Sequence, residues 1–341
     1  MELGELVESN DIINDQAAIR ERLDEDGYLF FRNVLDTDKL AAMRLEIFTI
    51  LQKRGWLVEG TDPMDGIANI DAQCTEGDAA YAKVYHEMYC LESFHRSGHY
   101  PEMLSILEKI IDGPVLPHPA KITRMWFPKY TKHTTPRHQD FVHFQGCLDT
   151  YTCWSPVGDC PIELGGLAVQ KGSHKVGKVV DHHYSLGAGG LNVYPEDSEG
   201  DWLTTNYKSG DTLIFAALMV HQALPNVTED RLRISLDNRY VSANRPIAEQ
   251  MLLPHLEAHD GFTWEQVYKD WQTDDLQYYW KELRLDVIDM DMQWKNSAFD
   301  EELKLAKSGN GDAQYSLART VRLDPQSEFG KRASQLLEEI S

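Results

Sequence analysis

Short apolar segments separated by Gly, Pro and Asn fill the middle of the chain, from about residue 120 to residue 242. They include ITRMWF, DTYTCWSPV, GGLAVQKGSH, DTLIFAALMVHQAL and RLRISLDNRYV. Several short strands at this density are typical of an antiparallel barrel or a jelly roll. The sequence therefore predicts a β core in this part of the chain.

The segment before this β region has mostly helical patterns. Residues 15–56 predict a helix that begins at an Asn/Asp cap, the short apolar strand GYLFFRNVL, and a second helix. Apolar residues recur at helical spacing in that second helix, which we expect to end at Gly55. Residues 57–118 are mixed and mostly helical in pattern.

The segment after the β region is also helical in pattern. After Pro246 it is rich in aromatic residues, and residues 300–341 resemble a single helical-repeat hairpin. One such unit cannot build a solenoid, so we expect it to pack on the core. Because no low-complexity linker separates these parts, the sequence predicts one compact body. Its main domain spans residues 1–245, and a helical extension at 246–341 packs on that domain.

Composition limits the kind of partner. The chain has 55 acidic and 33 basic residues and a formal net charge of −22, a field that repels nucleic acids and anionic membranes. A small anionic molecule is still compatible, because one local arginine can outweigh the global field. Five cysteines without a CxxC pair, and a start without a signal-like leader, argue against a secreted disulfide framework. Without a run of about 18 apolar residues to span a bilayer, we expect a cytoplasmic protein.

The heptapeptide TPRHQDF contains a histidine and an aspartate two residues apart, His138 and Asp140. In an extended strand these side chains project to the same face and can reach one point. Imidazole and carboxylate are ligand types of the two-histidine-one-carboxylate Fe(II) site. By itself the tripeptide is better interpreted as part of a surface strand with a solvated polar face.

A second histidine, His221, lies near the end of the dense apolar run GDTLIFAALMVHQALPN. A run of this kind is typical of a buried strand. Alone, His221 would be interpreted as a core histidine bonded to a carbonyl group. Together with the HQD tripeptide it is the strongest candidate for a third ligand.

The segment RLRISLDNRY follows a turn after His221 and alternates strictly between polar and apolar residues. We interpret it as the neighbouring strand of a hairpin, with a polar face that looks into the same cavity. An arginine on this face is suited to bind a carboxylate bidentately. The residues on the polar face are Arg231, Arg233, Ser235, Asp237 and Arg239.

These motifs together resemble the phytanoyl-CoA dioxygenase-like family of Fe(II)- and 2-oxoglutarate-dependent oxygenases. The matching stretches are EDGYLFFRNVLDTDKL, TPRHQDF, CWSPVGDCPIELGGLAVQKGSHK, VHQALPN and RLRISLDNRY, which follow one another in the family's order between about residues 15 and 242. The resemblance implies an α+β fold with a double-stranded β-helix (jelly-roll, cupin-like) core and flanking helices. It implies Fe(II), 2-oxoglutarate and O2 as cofactor and cosubstrates, with His138, Asp140 and His221 as iron ligands.

The resemblance also implies a cosubstrate site. Arg233 best matches the arginine that binds the distal carboxylate of 2-oxoglutarate, because it lies seven residues before Tyr240. Arg231 lies at an acceptable distance from the last iron ligand and stays an alternative. Ser235, two residues past Arg233, is placed to give that carboxylate a second hydrogen bond. Trp154 matches a pocket tryptophan, although a core aromatic residue is an equally good interpretation.

The implied activity is hydroxylation of an unactivated C–H bond in a small-molecule metabolite, with release of succinate and CO2. Desaturation, cyclisation or epimerisation would use the same site. A halogenase needs an open iron position where Asp140 stands, so that alternative is disfavoured. A non-catalytic binding or sensor protein is disfavoured because the triad and the arginine are intact.

The sequence does not name the substrate. Its acidity fits an anionic CoA thioester poorly, and a homodimer is possible. Candidate substrate contacts near the mouth of the site are His143, Arg124 and Arg239.

Overall fold

The computed structural model describes residues 2–76, 78–129, 131–255 and 261–340. The strands are β1 (Leu3–Glu5), β2 (Tyr28–Phe31), β3 (Val115–Pro117), β4 (Ile122–Trp126), β5 (His138–Gln139), β6 (Tyr151–Pro156), β7 (Leu167–Gln170), β8 (His182–Tyr184), β9 (Leu191–Val193), β10 (Trp202–Thr204), β11 (Thr212–Ala216), β12 (Val220–Ala223), β13 (Arg233–Ser242), β14 (Ile247–Ala248) and β15 (Val287–Ile288). The α-helices are α1 (Gln16–Asp26), α2 (Thr37–Lys53), α3 (Ala79–Tyr89), α4 (Glu92–Ser97), α5 (Pro101–Ile110), α6 (Phe141–Phe144), α7 (Trp264–Tyr268), α8 (Gln293–Lys307), α9 (Gly311–Leu323) and α10 (Glu328–Ile340).

Two facing sheets form the β core. The first sheet has the strand order β1-β10-β7-β12-β5, and the second has the order β2-β11-β6-β13-β3, with β4 also paired to β13. Trp154 and Phe215 of the second sheet share one buried apolar cluster with Leu167 and Val169 of the first. Pairing is antiparallel throughout both sheets except between β1 and β10. This architecture confirms the predicted double-stranded β-helix.

The apolar run that contains His221 is divided between the two sheets. β11 belongs to the second sheet and β12 to the first, and the amide of Met219 closes the turn between them by donating to the carbonyl of Ala216 (2.9 Å). The apolar pattern predicts one buried strand here. The turn is itself buried and contains no Gly, Pro or Asn, so the hydrophobic pattern continues through it without a break.

The predicted hairpin between the His221 strand and RLRISLDNRY is wrong. β13 pairs with β3, β4 and β6 in the second sheet, whereas β12 pairs with β5 and β7 in the first. The connecting loop crosses between the sheets and is held by Asn226, whose side-chain amide donates to the carbonyl of Arg231 (2.7 Å). Because the two sheets face each other, side chains of β12 and β13 still meet in the space between them.

The helix, strand and helix predicted for residues 15–56 are α1, β2 and α2. The carboxylate of Asp15 caps α1 by accepting from the amides of Ala17 and Ala18, and Asp36 caps α2 in the same way. β2 pairs with β11 and forms one edge of the second sheet. The N-terminal flank is therefore part of the β core's main apolar cluster and of one of its sheets.

The aromatic segment after residue 261 is less helical than its pattern indicates. Only α7 forms there, and the chain then continues in turns to about residue 283. Trp264, Tyr268 and Trp280 are buried in the main apolar cluster, where the rings of Trp264 and Trp280 lie 5.1 Å apart. The burial of these rings stabilises the turns in place of a regular helix.

The C-terminal helices α8, α9 and α10 pack on one another through a separate apolar cluster, whose larger members include Phe299, Leu317 and Leu336. The sequence predicts a single helical hairpin over residues 300–341, whereas the structure has three helices here, the first of which already begins at Gln293. Among the described residues, no helix combines the length and the apolar character needed to cross a membrane.

Lys121, the residue that precedes β4, is buried. Its ammonium group donates to the carbonyl of His118 (3.1 Å), and only 2% of the residue is exposed. Burial lowers the pKa of Lys121 to about 7, because the charged form loses its hydration.

This burial predicts a specific dependence of stability on pH. Between pH 7 and 9 the unfolded chain holds the Lys121 proton more tightly than the folded protein, so stability rises with pH in this window. Relative to Lys121→Met, the wild type should gain about 2 kcal/mol of unfolding free energy from pH 7 to pH 9. Urea unfolding of both proteins measures this gain, with the exposed Lys83→Met as control. Parallel pH profiles for wild type and Lys121→Met would contradict the assignment.

Candidate metal centre and cavity

A cavity of about 360 Å³ lies between the two sheets. β5, β7 and β12 of the first sheet line it, and β4, β6, β11 and β13 of the second sheet form the opposite wall. The segment after β14 adds Gln250 and Met251, and α8 adds Lys295. Both sheets and the C-terminal extension therefore contribute side chains to one cavity.

His138, Asp140 and His221 meet at one side of this cavity. β5 pairs with β12 so that His138 lies directly opposite His221. The Nε2 atoms of His138 and His221 lie 3.5 Å and 3.8 Å from Oδ1 of Asp140. The strand ends at Gln139, and Asp140 already has helical dihedral angles (φ −61°, ψ −27°), so the predicted extended HQD tripeptide is bent at its last residue.

The two imidazoles are oriented by backbone carbonyls. Nδ1 of His138 lies 2.8 Å from the carbonyl of Pro136, and Nδ1 of His221 lies 2.9 Å from the carbonyl of Met219. Because a carbonyl oxygen only accepts, each Nδ1 carries a proton, and the neutral form of each ring has its lone pair on Nε2. Burial, with the nearby His138, lowers the pKa of His221 to about 3, which keeps this ring neutral.

The three buried donor atoms of His138, Asp140 and His221 lie within 4.8 Å of one another and could hold a metal ion. Two neutral imidazoles and a carboxylate are a donor set that fits Fe(II).

The Asp140 carboxylate has two further partners on the second sheet. Oγ1 of Thr152 donates to its Oδ2 (2.5 Å), and Nη2 of Arg239 lies 3.1 Å and 3.2 Å from its two oxygens. Burial raises the pKa of Asp140, but the charge of Arg239 and the contact with His138 outweigh burial and hold the pKa well below its usual value. Asp140 is therefore ionised, and Arg239, a predicted substrate contact, is engaged with this carboxylate.

Arg233 lines the cavity at the start of β13. Its Nε donates to the carbonyl of Gly165 (2.9 Å) and its Nη1 to Oγ of Ser235 (2.6 Å), while its guanidinium carbon lies 5.2 Å from the ring centre of Trp126 and 6.0 Å from that of Trp154. Burial lowers its pKa to about 10. In the described part of the chain no carboxylate forms an ion pair with this guanidinium. Arg233 is thus a charged group in the cavity wall that an anion could neutralise.

Arg231 has a different environment. It precedes β13 and is exposed, and its guanidinium donates to the carbonyl of Asp65 and pairs with the Asp230 carboxylate (3.4 Å). It does not line the cavity. The alternation that placed both arginines on one polar face holds only once the strand has begun at Arg233.

Arg124, another predicted substrate contact, is neutralised by the protein itself. Its guanidinium forms a close ion pair with Glu76 and lies 3.5 Å from Oδ2 of Asp237. Burial raises the pKa of Glu76, but Arg124 outweighs it and lowers that pKa to about 2. All three groups line the cavity, and together they form a buried charge cluster in its wall.

His143, the remaining predicted substrate contact, lies on α6 just after Asp140. Its ring centre is 5.2 Å from that of His138, and its side chain lines the cavity. Burial, and then the neighbouring His138, hold the pKa of His143 well below its usual value. His143 is therefore neutral and close to the metal centre.

Some functional candidates could not be found from the sequence. Thr152 carries no motif of its own, because its partner Asp140 is twelve residues away on the opposite sheet. Glu76 and Lys295 lie in segments with ordinary helical or loop patterns, and only the fold brings them to the cavity. Gln250 is similar, since its amide reaches the carbonyl of His143 (3.0 Å) from the C-terminal extension.

The sequence of this chain matches one family model and is similar to known proteins. The model of the family described as Phytanoyl-CoA dioxygenase (PhyH) matches residues 23–235. The 1-deoxypentalenic acid 11-beta-hydroxylase of Streptomyces arenae is 26% identical over 260 residues, which covers 72% of this chain and 88% of the relative. The enzyme of the same name from Streptomyces exfoliatus is 25% identical over 269 residues, which covers 75% of this chain and 92% of that protein.

Among solved structures, the non-heme alpha ketoglutarate dependent carbocyclase SnoK from nogalamycin biosynthesis is 20% identical, with a TM-score of 0.48 and coverage of 71% of this chain and 88% of that chain. The family model spans more than half of the chain, including all three metal-ligand candidates and Arg233. The chain belongs to the phytanoyl-CoA dioxygenase family and is a 2-oxoglutarate-dependent non-haem iron oxygenase.

Proposed function

We propose that this enzyme hydroxylates an unactivated C–H bond of a small-molecule metabolite. His138, Asp140 and His221 hold Fe(II), and Arg233 binds the distal carboxylate of 2-oxoglutarate. This proposal rests mainly on one observation: a cavity whose wall contains three candidate metal donors also contains Arg233, an arginine that has no carboxylate partner among the described residues. Substrate turnover coupled to succinate formation, with and without Fe(II), tests it.

The chain's own side chains divide the tasks of this reaction. Bound Fe(II) and 2-oxoglutarate supply O2 activation, with release of succinate and CO2. Arg239 and Thr152 keep Asp140 ionised and oriented, and the carbonyls of Pro136 and Met219 fix both imidazoles. Arg233 and Ser235 present donors to the cosubstrate carboxylate. Trp154 and the other apolar wall residues exclude water from the reacting bond.

Hydroxylation is favoured over the other outcomes by the relatives, both of which are named as hydroxylases. Desaturation, cyclisation and epimerisation use the same metal centre and remain the second candidate function. A non-catalytic binding or sensor protein would not form succinate from 2-oxoglutarate, so this product separates that class from an enzyme. We retain the homodimer and the cytoplasmic location as predictions.

We further propose that residues 1–245 form the oxygenase domain and that residues 246–341 are an extension that completes its cavity. The side-chain amide of Gln145 and the backbone of Asp291 exchange two hydrogen bonds, both 2.7 Å long. Gln250 donates to the carbonyl of His143 (3.0 Å). These contacts join the extension to the segment that directly follows Asp140, which supports a role in shaping the site.

For the metal centre, we expect His138→Ala, His221→Ala and Asp140→Asn each to weaken Fe(II) binding by more than about 100-fold, because each removes one of three donor atoms. Asp140→Asn keeps the side-chain volume beside Arg239 but removes the charge that neutralises this arginine, so we expect the variant also to be less stable than the wild type. Calorimetry with Mn(II) under anaerobic conditions measures the affinity, and circular dichroism monitors folding. His143→Ala is the control and should bind the metal as the wild type does. Tight metal binding by any of the three variants would contradict the triad.

For the cosubstrate, Arg233→Ala should raise the apparent 2-oxoglutarate constant at least tenfold. Loss of a buried charge-assisted contact typically costs about 2–5 kcal/mol, so a tenfold effect is a lower bound. Arg231→Ala is the matched control, since it removes the same charge two residues earlier outside the cavity, and its effect should be smaller. The reverse ranking of the two variants would transfer the role to Arg231.

The outcome of the reaction should not depend on halides. Because Asp140 occupies the position that a halide would need, chloride or bromide in the buffer should leave the product unchanged. With isotopically labelled oxygen gas, mass spectrometry should find label in succinate. A halogenated product from the unmodified protein would exclude this interpretation.

A further inference from the structure

The cavity contains more positive charge than the protein neutralises. Its charged lining comprises three carboxylates and four cations, namely Glu76, Asp140, Asp237, Arg124, Arg233, Arg239 and Lys295. Arg239 is paired with Asp140, and Arg124 is paired with Glu76 and Asp237. All three carboxylates are therefore engaged, and Asp140 is also the candidate metal ligand. Arg233 and Lys295 have no carboxylate partner among the described residues.

Arg233 is already assigned to the cosubstrate under the proposed function, which leaves Lys295. Within the ranges that the structure describes, the Lys295 side chain forms no hydrogen bond and no ion pair. It is partly buried in the cavity lining together with His143 and Gly189. A partly dehydrated ammonium group without an anion is unfavourable, and a bound anion would remove that penalty.

The position of Lys295 is fixed by the packing of α8. The neighbouring Trp294 contacts the ring of Phe141 edge-on, with ring centres 6.4 Å apart. Ala298, one turn later, is buried in a cluster with Val142 and Leu191. These contacts attach α8 to the segment that follows Asp140, so Lys295 is held in the wall of the cavity that contains the metal-ligand candidates.

One ammonium group matches one negative charge. A phosphate ester carries between about 1.5 and 2 negative charges at neutral pH and is usually met by several donors, often arginine forks. A carboxylate carries a single charge, and the three donors of an ammonium group suit it. The cavity volume of about 360 Å³ also favours a compact molecule over a CoA conjugate.

We propose that the prime substrate carries a carboxylate and that Lys295 binds it, so that the C-terminal extension determines substrate specificity. This inference rests on the proposed function, because it assigns Arg233 to 2-oxoglutarate. The carboxylate anchors one end of the substrate at α8 while the bond to be hydroxylated faces the metal.

The test uses the whole chain loaded with Mn(II) and 2-oxoglutarate. Mn(II) is paramagnetic, and the protein loaded with it does not turn over. The probe is cyclohexanecarboxylate, and cyclohexanecarboxamide is its neutral counterpart. Metal-dependent relaxation of the probe's protons, measured by NMR against a Zn(II)-loaded sample, gives a dissociation constant for binding near the metal. The variants are Lys295→Met, Lys295→Arg, and Lys304→Met as a control on the exposed face of the same helix.

We expect the carboxylate to bind at least tenfold more tightly than the carboxamide in the wild type. Lys295→Met should lose this preference, Lys295→Arg should keep most of it, and Lys304→Met should behave as the wild type. Equal binding of both probes by the wild type, or an unchanged preference in Lys295→Met, would overturn the inference.

Calorimetry with Mn(II) and 2-oxoglutarate on the same samples separates failure of the Lys295 inference from failure of the proposed function. If Mn(II) and 2-oxoglutarate both bind to the wild type but the carboxylate binds no more tightly than the carboxamide, only the role of Lys295 fails. If neither ligand binds to the wild type, the proposed function fails and the inference falls with it.

Discussion

The ion pair between Asp140 and Arg239 is the interaction on which the cavity depends. Both side chains are almost completely buried, with 2% and 6% of their surface exposed. Asp140 follows a strand of the first sheet and Arg239 belongs to the second, so the pair joins the two halves of the β core. Removal of one partner from a buried pair typically destabilises a protein by about 3–5 kcal/mol, because the other charge is left without compensation. The carboxylate that could bind the metal is thus also a structural element of the fold.

The other cationic side chains of the cavity fall into two groups, those that the protein neutralises and those that have no carboxylate partner among the described residues. Arg124 is neutralised by carboxylates of the protein, whereas Arg233 and Lys295 face the cavity without such partners among the described residues. The cavity is therefore suited to anions even though the whole chain has a net charge of −22. Local pairing determines what the site can bind, since the field of distant surface carboxylates is screened over about 10 Å.

Much of the fold could be predicted because its local signals are strong. The cap signal before α1 and the helical spacing of apolar residues in α2 mark real helices, and the density of short strands between residues 120 and 242 corresponds to two mainly antiparallel sheets. The errors occurred where burial removes local contrast. The buried turn before β12 contains no Gly, Pro or Asn that would mark it in the sequence. The aromatic segment after residue 261 forms turns, and its rings are buried in the main apolar cluster. Both features depend on which surfaces are buried together, which periodicity does not report.

The sequence by itself determined the chemical groups and their spacing along the chain: a histidine and an aspartate two residues apart, and an alternating segment with Arg233 and Arg239 on its polar face. Only the tertiary structure decided which groups meet. It placed Arg233 in the cavity and Arg231 outside it, paired Arg239 with Asp140, and brought Lys295 from the C-terminal extension to the same site. The physical reason is the range of the forces involved. Strand alternation and helix capping act between residues a few positions apart. The pairing of buried charges depends instead on side chains that lie far apart in the chain, 48 residues for Arg124 and Glu76 and 99 residues for Arg239 and Asp140, and that leave water together.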